Sequence, residues 1–331
     1  MNKPKALVTG ANGFVGAYVV DLLVSRGFDV TILIRQSSNL KWLKDKSVKM
    51  NYGDLRDINS LTEAVKDQNY IFHIAAIVRA VKESDFDEIN VQGTANLIQA
   101  IKTHNPSIKR VIFVSSQEAG GPASSTTPLT ENDPAKPVSA YGRSKLACEQ
   151  LFLDNKSALP VCILRPGIVY GPRDTALLTL FKTAIWKIKL SIGFRDQYIS
   201  IVHVKDLANA IYLCATQALK SGAVYYVTDG NPTLTSKTLQ SIILEAMGKS
   251  VAIPIYIPVI IFYFVCLILH GLQQLVKKAF WINLTRYHSY TQPFWLCDSS
   301  KIMAELGYKP EYTVQQGIKE TLAWYKANNW I

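Results

Sequence analysis

The chain has 331 residues, 48% of them hydrophobic and 18% charged, with a formal net charge of +11. This is the balance of a globular protein, slightly apolar for a fully soluble one, and long enough for one large domain with a smaller appendage. The basic residues are scattered, with no nucleic-acid module and no basic helix interleaved with aromatics. A nucleic-acid partner is therefore set aside, and the charge better suits anionic membrane surfaces or anionic substrates.

The segment Leu7-Val8-Thr9-Gly10-Ala11-Asn12-Gly13-Phe14-Val15-Gly16 reads as a short strand running into three glycines spaced three apart. A helix follows from Phe14 to Ser25, stopped by Gly27. Free N–H groups at a helix N-terminus, with the positive end of the helix dipole behind them, are the best backbone partners for a phosphate. Reaching them requires a turn too tight for a side chain at Gly10, an open approach at Gly13 and close helix–strand packing at Gly16. A dinucleotide is expected here, with Asn12, Phe14 and Val15 beside the glycines.

The next strand, Asp29–Ile34, ends at Arg35. An acidic residue about 20 positions past the glycines would bind an unmodified ribose and select NAD. Arg35, followed by Ser37 and Ser38, instead suits a 2′-phosphate. NADP is the expected cofactor; NAD remains possible, and a solvated surface arginine is the alternative reading.

Further strand-like runs at Val48–Tyr52, Ile71–Ile74, Val111–Val114 and Val161–Arg165 alternate with helical patterns near Ser60–Lys66, Asp87–Thr103 and Ala140–Ala158. Such alternation predicts an α/β fold, a doubly wound parallel sheet with ligands beyond the carboxyl ends of its strands. Residues 1–168 form the dinucleotide-binding domain in this reading. Residues 169–331 are mostly a smaller substrate lobe, discontinuous, with some segments returning to the sheet.

The strand Val111–Val114 ends in Ser115-Ser116, and Tyr141-Gly142-Arg143-Ser144-Lys145 follows. Tyr141 and Lys145 are four apart on a helix, which puts phenol and ammonium on one face. A free phenol, with a pKa of about 10, is a poor base at neutral pH. A neighbouring ammonium would lower that value and let the tyrosine exchange a proton with a substrate oxygen. Ser116 at the strand tip would hydrogen-bond the same oxygen and hold it for hydride transfer. These three are the expected catalytic residues.

On these residues the chain resembles an extended short-chain dehydrogenase/reductase, the superfamily of sugar-nucleotide epimerases, dihydroflavonol reductases and 3β-hydroxysteroid dehydrogenases. The resemblance covers nearly the whole chain. Besides the glycine turn, Ser115-Ser116 and Tyr141-x-x-x-Lys145, it rests on Gly53-Asp54-Leu55, His73-Ile74-Ala75-Ala76, Asn90-Val91-x-Gly93-Thr94, Arg165-Pro166-x-x-Val169-Tyr170-Gly171-Pro172 and His203-Val204-x-Asp206. It implies Asp54 and Leu55 against adenine and Ala75 and Ala76 along the cofactor's central stretch. Lys145 would also hold the nicotinamide ribose, with Pro166 and Ile168 packed near the nicotinamide. Asn90 and His203 match family positions but read as mainly structural. Gly120, where many epimerases carry an aromatic residue, resembles the steroid-dehydrogenase branch more closely.

Five cysteines, odd in number and without a C-x-x-C pair, fit reduced thiols rather than a disulfide framework or a metal site. Only Met1–Pro4 precede the first strand, which leaves no room for a signal peptide, so a cytoplasmic catalytic part is expected. From Ser250 to Val276 no Asp, Glu, Lys or Arg occurs, while Lys277, Lys278, Phe280 and Trp281 follow. The 253–276 stretch could span a bilayer by length. Pro254 and Pro258, and the lobe material beyond it, favour a peripheral helix in one leaflet; a helix buried in the lobe is the other reading.

The expected function is an NADP-dependent oxidoreductase that interconverts a secondary alcohol and a ketone on a sterol-like or long-chain substrate. A nucleotide-sugar epimerase or dehydratase is the alternative, and a non-catalytic dinucleotide-binding regulator a third. By the same resemblance, a homodimer is expected through the helices near Asp87–Thr103 and Ala140–Ala158, whose apolar positions include Ile89, Leu97, Ile101, Leu146, Leu151 and Phe152.

Overall fold

Successive strand residues point to opposite faces of a sheet, and here both faces are apolar. In a computed structural model, which describes residues 3–331, β1 (Lys5–Thr9) sends Ala6 and Val8 to one core and Leu7 to another. The same alternation holds in β5 (Arg110–Val114) and β6 (Val161–Pro166), where Ile112, Val114, Cys162 and Leu164 face one side and Val111, Phe113, Val161 and Ile163 the other.

Together with β2 (Asp29–Ile34), β3 (Lys49–Tyr52), β4 (Tyr70–His73) and a last strand, Ala223–Val227, these form a seven-stranded sheet. Its order is Ala223–Val227, β6, β5, β4, β1, β2, β3. Every pairing is parallel. The order reverses between β1 and β4, the place where a doubly wound sheet opens a crevice.

The first core lies under the helices Phe14–Ser25, Val204–Thr216 and Ser300–Leu306, the second under Ile58–Val65, Gly93–His104 and Ala140–Asp154. A third core, around Tyr170, Phe181, Trp295 and Tyr325, belongs to the lobe. The chain thus crosses between lobe and sheet after residue 168: the Ala223–Val227 strand and the Ser300–Leu306 helix both complete the dinucleotide-type domain. Leu97, Ile101 and Phe152, three of the apolar positions considered for a dimer face, are fully buried in the second core of their own chain.

Two elements differ from their sequence-based forms. The helix expected over Asp87–Thr103 begins as a π-helix at Asp87–Gln92 before continuing as α-helix from Gly93 to His104. The 253–276 stretch divides into a strand, Ile253–Ile257, paired in parallel with Ile188–Ile192, and a helix, Val259–Val276. Pro258 sets the division, because the residue before a proline disfavours helical backbone while the proline itself suits a helix start. The helix is not the buried lobe helix of the alternative reading. Phe262, Cys266 and Gln273 are buried, whereas Ile260, Ile268 and Leu275 are 62%, 68% and 79% exposed.

Candidate active site

The parallel register sets Thr9 of β1 beside His73 of β4 and Val114 of β5 beside Leu164 of β6. The turns that follow therefore meet along one edge. Gly10, at φ +72°, passes so close to the loop after β4 that a Cβ there would lie 2.6 Å from the Ala75 amide nitrogen. A Cβ on Gly16 would press into the Gly10 carbonyl. Ala75 N–H donates to Thr9 Oγ1 at 3.3 Å, and the buried His73 ring joins Thr9 Oγ1 (2.8 Å) to Thr94 Oγ1 (3.1 Å). Burial, and then the Lys145 charge, hold His73 near a pKa of about 3, so it is a neutral tie between β1, β4 and the next helix.

The Phe14–Ser25 helix starts at Gly13 with no side-chain cap and no acidic residue in its first turn. Its free N–H groups keep their positive character for an anion, with Asn12, Phe14 and Val15 partly exposed beside them. These residues fit a dinucleotide pyrophosphate. Arg35 is exposed at the tip of β2, in a turn closed by its own N–H to Ser38 Oγ at 3.0 Å. Asp54, after β3, is held at a pKa of about 2, chiefly by hydrogen bonds from Arg56 and last by the Arg35 charge. Leu55, Ala76 and Ile168 are half-buried on the same edge and Pro166 is buried.

Ser116, two residues past β5, caps a short helix, Gln117–Gly120, its Oγ accepting from Glu118 N–H at 3.2 Å. Ser139 starts the next helix by accepting from Gly142 N–H at 2.9 Å, and Tyr141 and Lys145 follow on its inner face, 9% and 1% exposed. Lys145 Nζ donates to the Val114 carbonyl at 2.7 Å and lies 4.1 Å from the centre of the Phe113 ring. Burial brings its pKa down to about 8, against the opposing pull of Cys148 and Glu149.

Burial raises the pKa of the Tyr141 phenol, Glu118 adds to the rise, and Arg286 and Ser116 oppose it. The Lys145 ammonium is turned to the strand carbonyl, and the cation over the phenol is Arg286, 5.5 Å from the ring centre.

Three further residues were not singled out from sequence. Glu149, one turn beyond Lys145, takes a two-pronged ion pair from Arg165 (2.6 Å at its closest) and a 2.5 Å hydrogen bond from Ser115. Glu118 accepts from Ser139 at 2.6 Å and stands 3.6 Å from Arg286. The spacing of Tyr141, Lys145 and Glu149, four and four, was the available clue to the first; Glu118 and Arg286 meet only through the fold.

Asn90 clasps the backbone of Ile77 at both its N–H and carbonyl and reaches Ser144 at 3.1 Å, tying the loop after β4 to the Tyr141 helix. His203 ends the strand Ile201–His203, which pairs with Ile168–Tyr170; it is stacked 3.8 Å from the Tyr312 ring and kept neutral by burial, with a pKa of about 4. A side chain at Gly120 would collide with the Tyr226 hydroxyl, so the missing aromatic there has a packing reason in this chain.

A parallel sheet with a glycine-turn anion site and a Ser–Tyr–Lys cluster on one edge defines a dinucleotide-dependent enzyme of the extended short-chain dehydrogenase/reductase type. Residues 6–227 match the NAD dependent epimerase/dehydratase family, and the chain belongs to it. UDP-glucose 4-epimerase of Vibrio cholerae is 29% identical over 98% of this chain and 97% of its own length. 3beta-hydroxysteroid-dehydrogenase/decarboxylase isoform 2 of Arabidopsis thaliana is 27% identical over 96% of this chain, which covers 61% of that longer protein. The crystal structure of gox2253 superposes with a TM-score of 0.82, at 25% identity and 99% coverage of both chains.

When bound, the nicotinamide cofactor supplies or accepts the hydride. In the roles expected from sequence, Ser116 would orient the substrate oxygen and the Tyr141 hydroxyl would exchange its proton. Tyr141→Phe is expected to lower kcat by about 10²–10⁴-fold while cofactor affinity holds. Lys145→Ala is expected to reduce both. Steady-state rates and cofactor titration check this, and a Tyr141→Phe protein near the wild-type rate would contradict it.

Proposed function

We propose that the protein is an NADP-dependent oxidoreductase that interconverts a secondary alcohol and a ketone on an apolar, sterol-like or long-chain substrate. The observation that carries this reading is the apolar helix Val259–Val276, exposed along most of its length, beside the Tyr141 site. Phe262 stacks on Tyr287, and Tyr287 directly follows Arg286, the residue over the Tyr141 ring. A cavity of about 410 Å³ lies between Val81–Glu83, Leu284–Thr285 and His270 and Gln274 near the end of this helix. An apolar substrate would enter from that side. The plant sterol dehydrogenase among the relatives supports the same class.

The epimerase relative, matched over nearly its full length, favours a second reading: a nucleotide-sugar epimerase or dehydratase. A non-catalytic regulator is disfavoured because Ser116, Tyr141 and Lys145 are all retained. A panel of sterols, β-keto long-chain compounds and UDP- or dTDP-sugars, followed by NADPH absorbance and product analysis, separates them. Turnover of an apolar alcohol or ketone is expected; sugar-nucleotide isomerisation alone would overturn the proposal.

The NADP preference rests on Arg35, exposed where a 2′-phosphate would lie. A charge-assisted hydrogen bond is worth roughly 1.5–3 kcal/mol, so Arg35→Asp is expected to shift the affinity ratio about tenfold or more toward NADH. A wild type that prefers NADH would contradict it.

The same reading makes the protein a peripheral membrane enzyme of the cytoplasmic side. The helix is anchored on its inner face by Gln273, which donates to the Val81 carbonyl at 3.1 Å, while its outer face offers large apolar side chains. Each buried in lipid would contribute about 1.5–3 kcal/mol. Lys277 and Lys278 would add roughly 1 kcal/mol each at an anionic leaflet. Replacing Ile261, Phe264 and Leu267 with Ser is expected to release the protein from anionic liposomes in a flotation assay and to leave cofactor binding intact. Wild type that stays unbound would contradict the membrane role.

A homodimer completes the proposal. Ile89, Leu146 and Leu151 are only half-buried and remain available for a helix-paired face. Light scattering at micromolar concentration is expected to give twice the chain mass, and a monomer would remove this element.

A further inference from the structure

Tyr141 is enclosed from several elements. Lys145 and Cys148 lie on its own helix, Glu118 comes from the Gln117–Gly120 helix, the Phe86 ring packs at 6.1 Å, and Arg286 closes the remaining side from a C-terminal turn. Of the two cations, Lys145 is committed to the Val114 carbonyl and the Phe113 ring. Arg286 is held as well, but over the phenol itself: its guanidinium lies over both the Tyr141 and Trp281 rings, donates to the Val78 carbonyl at 2.8 Å and faces Glu118 at 3.6 Å. Its Nε is buried with no hydrogen-bond partner.

The arginine is also firmly placed. Asn283, 1% exposed, accepts from the Arg286 backbone N–H at 3.2 Å and donates to Gln273 Oε1 at 3.2 Å, at the inner face of the apolar helix. Glu118 is fixed in turn by Ser139 at 2.6 Å and Ser289 at 3.2 Å. Two opposite charges on elements distant in sequence are thus held at fixed positions around one phenol.

We propose that Arg286 is a positioning residue for proton exchange at Tyr141: its guanidinium stabilises the phenolate, and Glu118 braces that guanidinium while opposing its effect on the phenol. The proposal rests on the assignment of Tyr141 as the proton-exchanging group. A unit charge within about 4–6 Å of a titrating group, in a site removed from water, moves its proton affinity by an amount that changes the fraction of competent enzyme at neutral pH.

The test needs no substrate. Tyr141 is replaced by 3,5-difluorotyrosine, a near-isosteric phenol that ionises well below tyrosine, and its phenolate absorbance is titrated in the full-length protein. Arg286→Met is expected to move the midpoint up by about one pH unit, tenfold in proton affinity. Glu118→Gln is expected to move it down, and Arg286→Lys to stay near the wild-type value. Glu118→Gln reads the same field without touching the arginine, and thermal melting of each variant checks that it is folded. Opposite shifts with rescue by lysine support the proposal. Midpoints that do not move, or that move in the same direction in folded variants, overturn it, whatever substrate the enzyme proves to use.

Discussion

The ion pair between Glu149 and Arg165 is the constraint on which the site depends. Both side chains are buried, 1% and 8% exposed, and the guanidinium meets the carboxylate through two of its nitrogens. Breaking such a pair by removing one partner costs about 3–5 kcal/mol, because the other charge is left stranded. The pair does more than hold a helix down. Tyr141, Lys145 and Glu149 form one stripe at intervals of four, so fixing Glu149 against β6 fixes the rotation of the helix and aims the other two at the strand ends. Ser115, bonded to the same carboxylate, locks the tip of β5 into that arrangement, and Ser116 follows directly.

Around this anchor the parallel sheet does the gathering. All seven strands run the same way, so their carboxyl ends and the turns after them share an edge. The neutral His73 and Asn90 then bind those turns to the helices behind them with buried hydrogen bonds. Short-range polar ties of this kind are strong where water is excluded and costly if left unmet. They give the glycine turn and the Ser–Tyr–Lys cluster a fixed separation, which hydride transfer requires of its two reactants.

What was legible in the sequence was the local chemistry. The glycine spacing, the apolar runs and the i, i+4 pair at Tyr141 and Lys145 are short-range patterns, and the sheet, its order of elements and the family follow from them. What was not legible depends on contacts far apart in the chain. Glu118 and Arg286 meet across 168 residues, and nothing near either one indicates the other. The surroundings of Tyr141 are of the same kind: helical spacing marks Lys145 on its face, whereas the contacts of that ammonium with the Val114 carbonyl and the Phe113 ring come from another element. The packing reason for Gly120 is equally remote: the hydroxyl of Tyr226, more than 100 residues on, occupies the space a side chain there would need. In the 253–276 stretch, composition marks the segment as apolar and Pro258 marks a break, but the strand pairing of its first five residues comes from a distant partner, Ile188–Ile192.

The central claim is that one sheet edge carries both the dinucleotide and the chemistry. Hydrogen–deuterium exchange of the full-length protein, with and without saturating NAD⁺ or NADP⁺, tests it most directly. Protection is expected at Gly10–Val15, in the loop after β4 through Ile77, and at Ser115–Glu118 and Tyr141–Lys145, with no change in Val259–Val276. Protection confined to the lobe, or none at the glycine turn with either cofactor at saturation, would contradict the account.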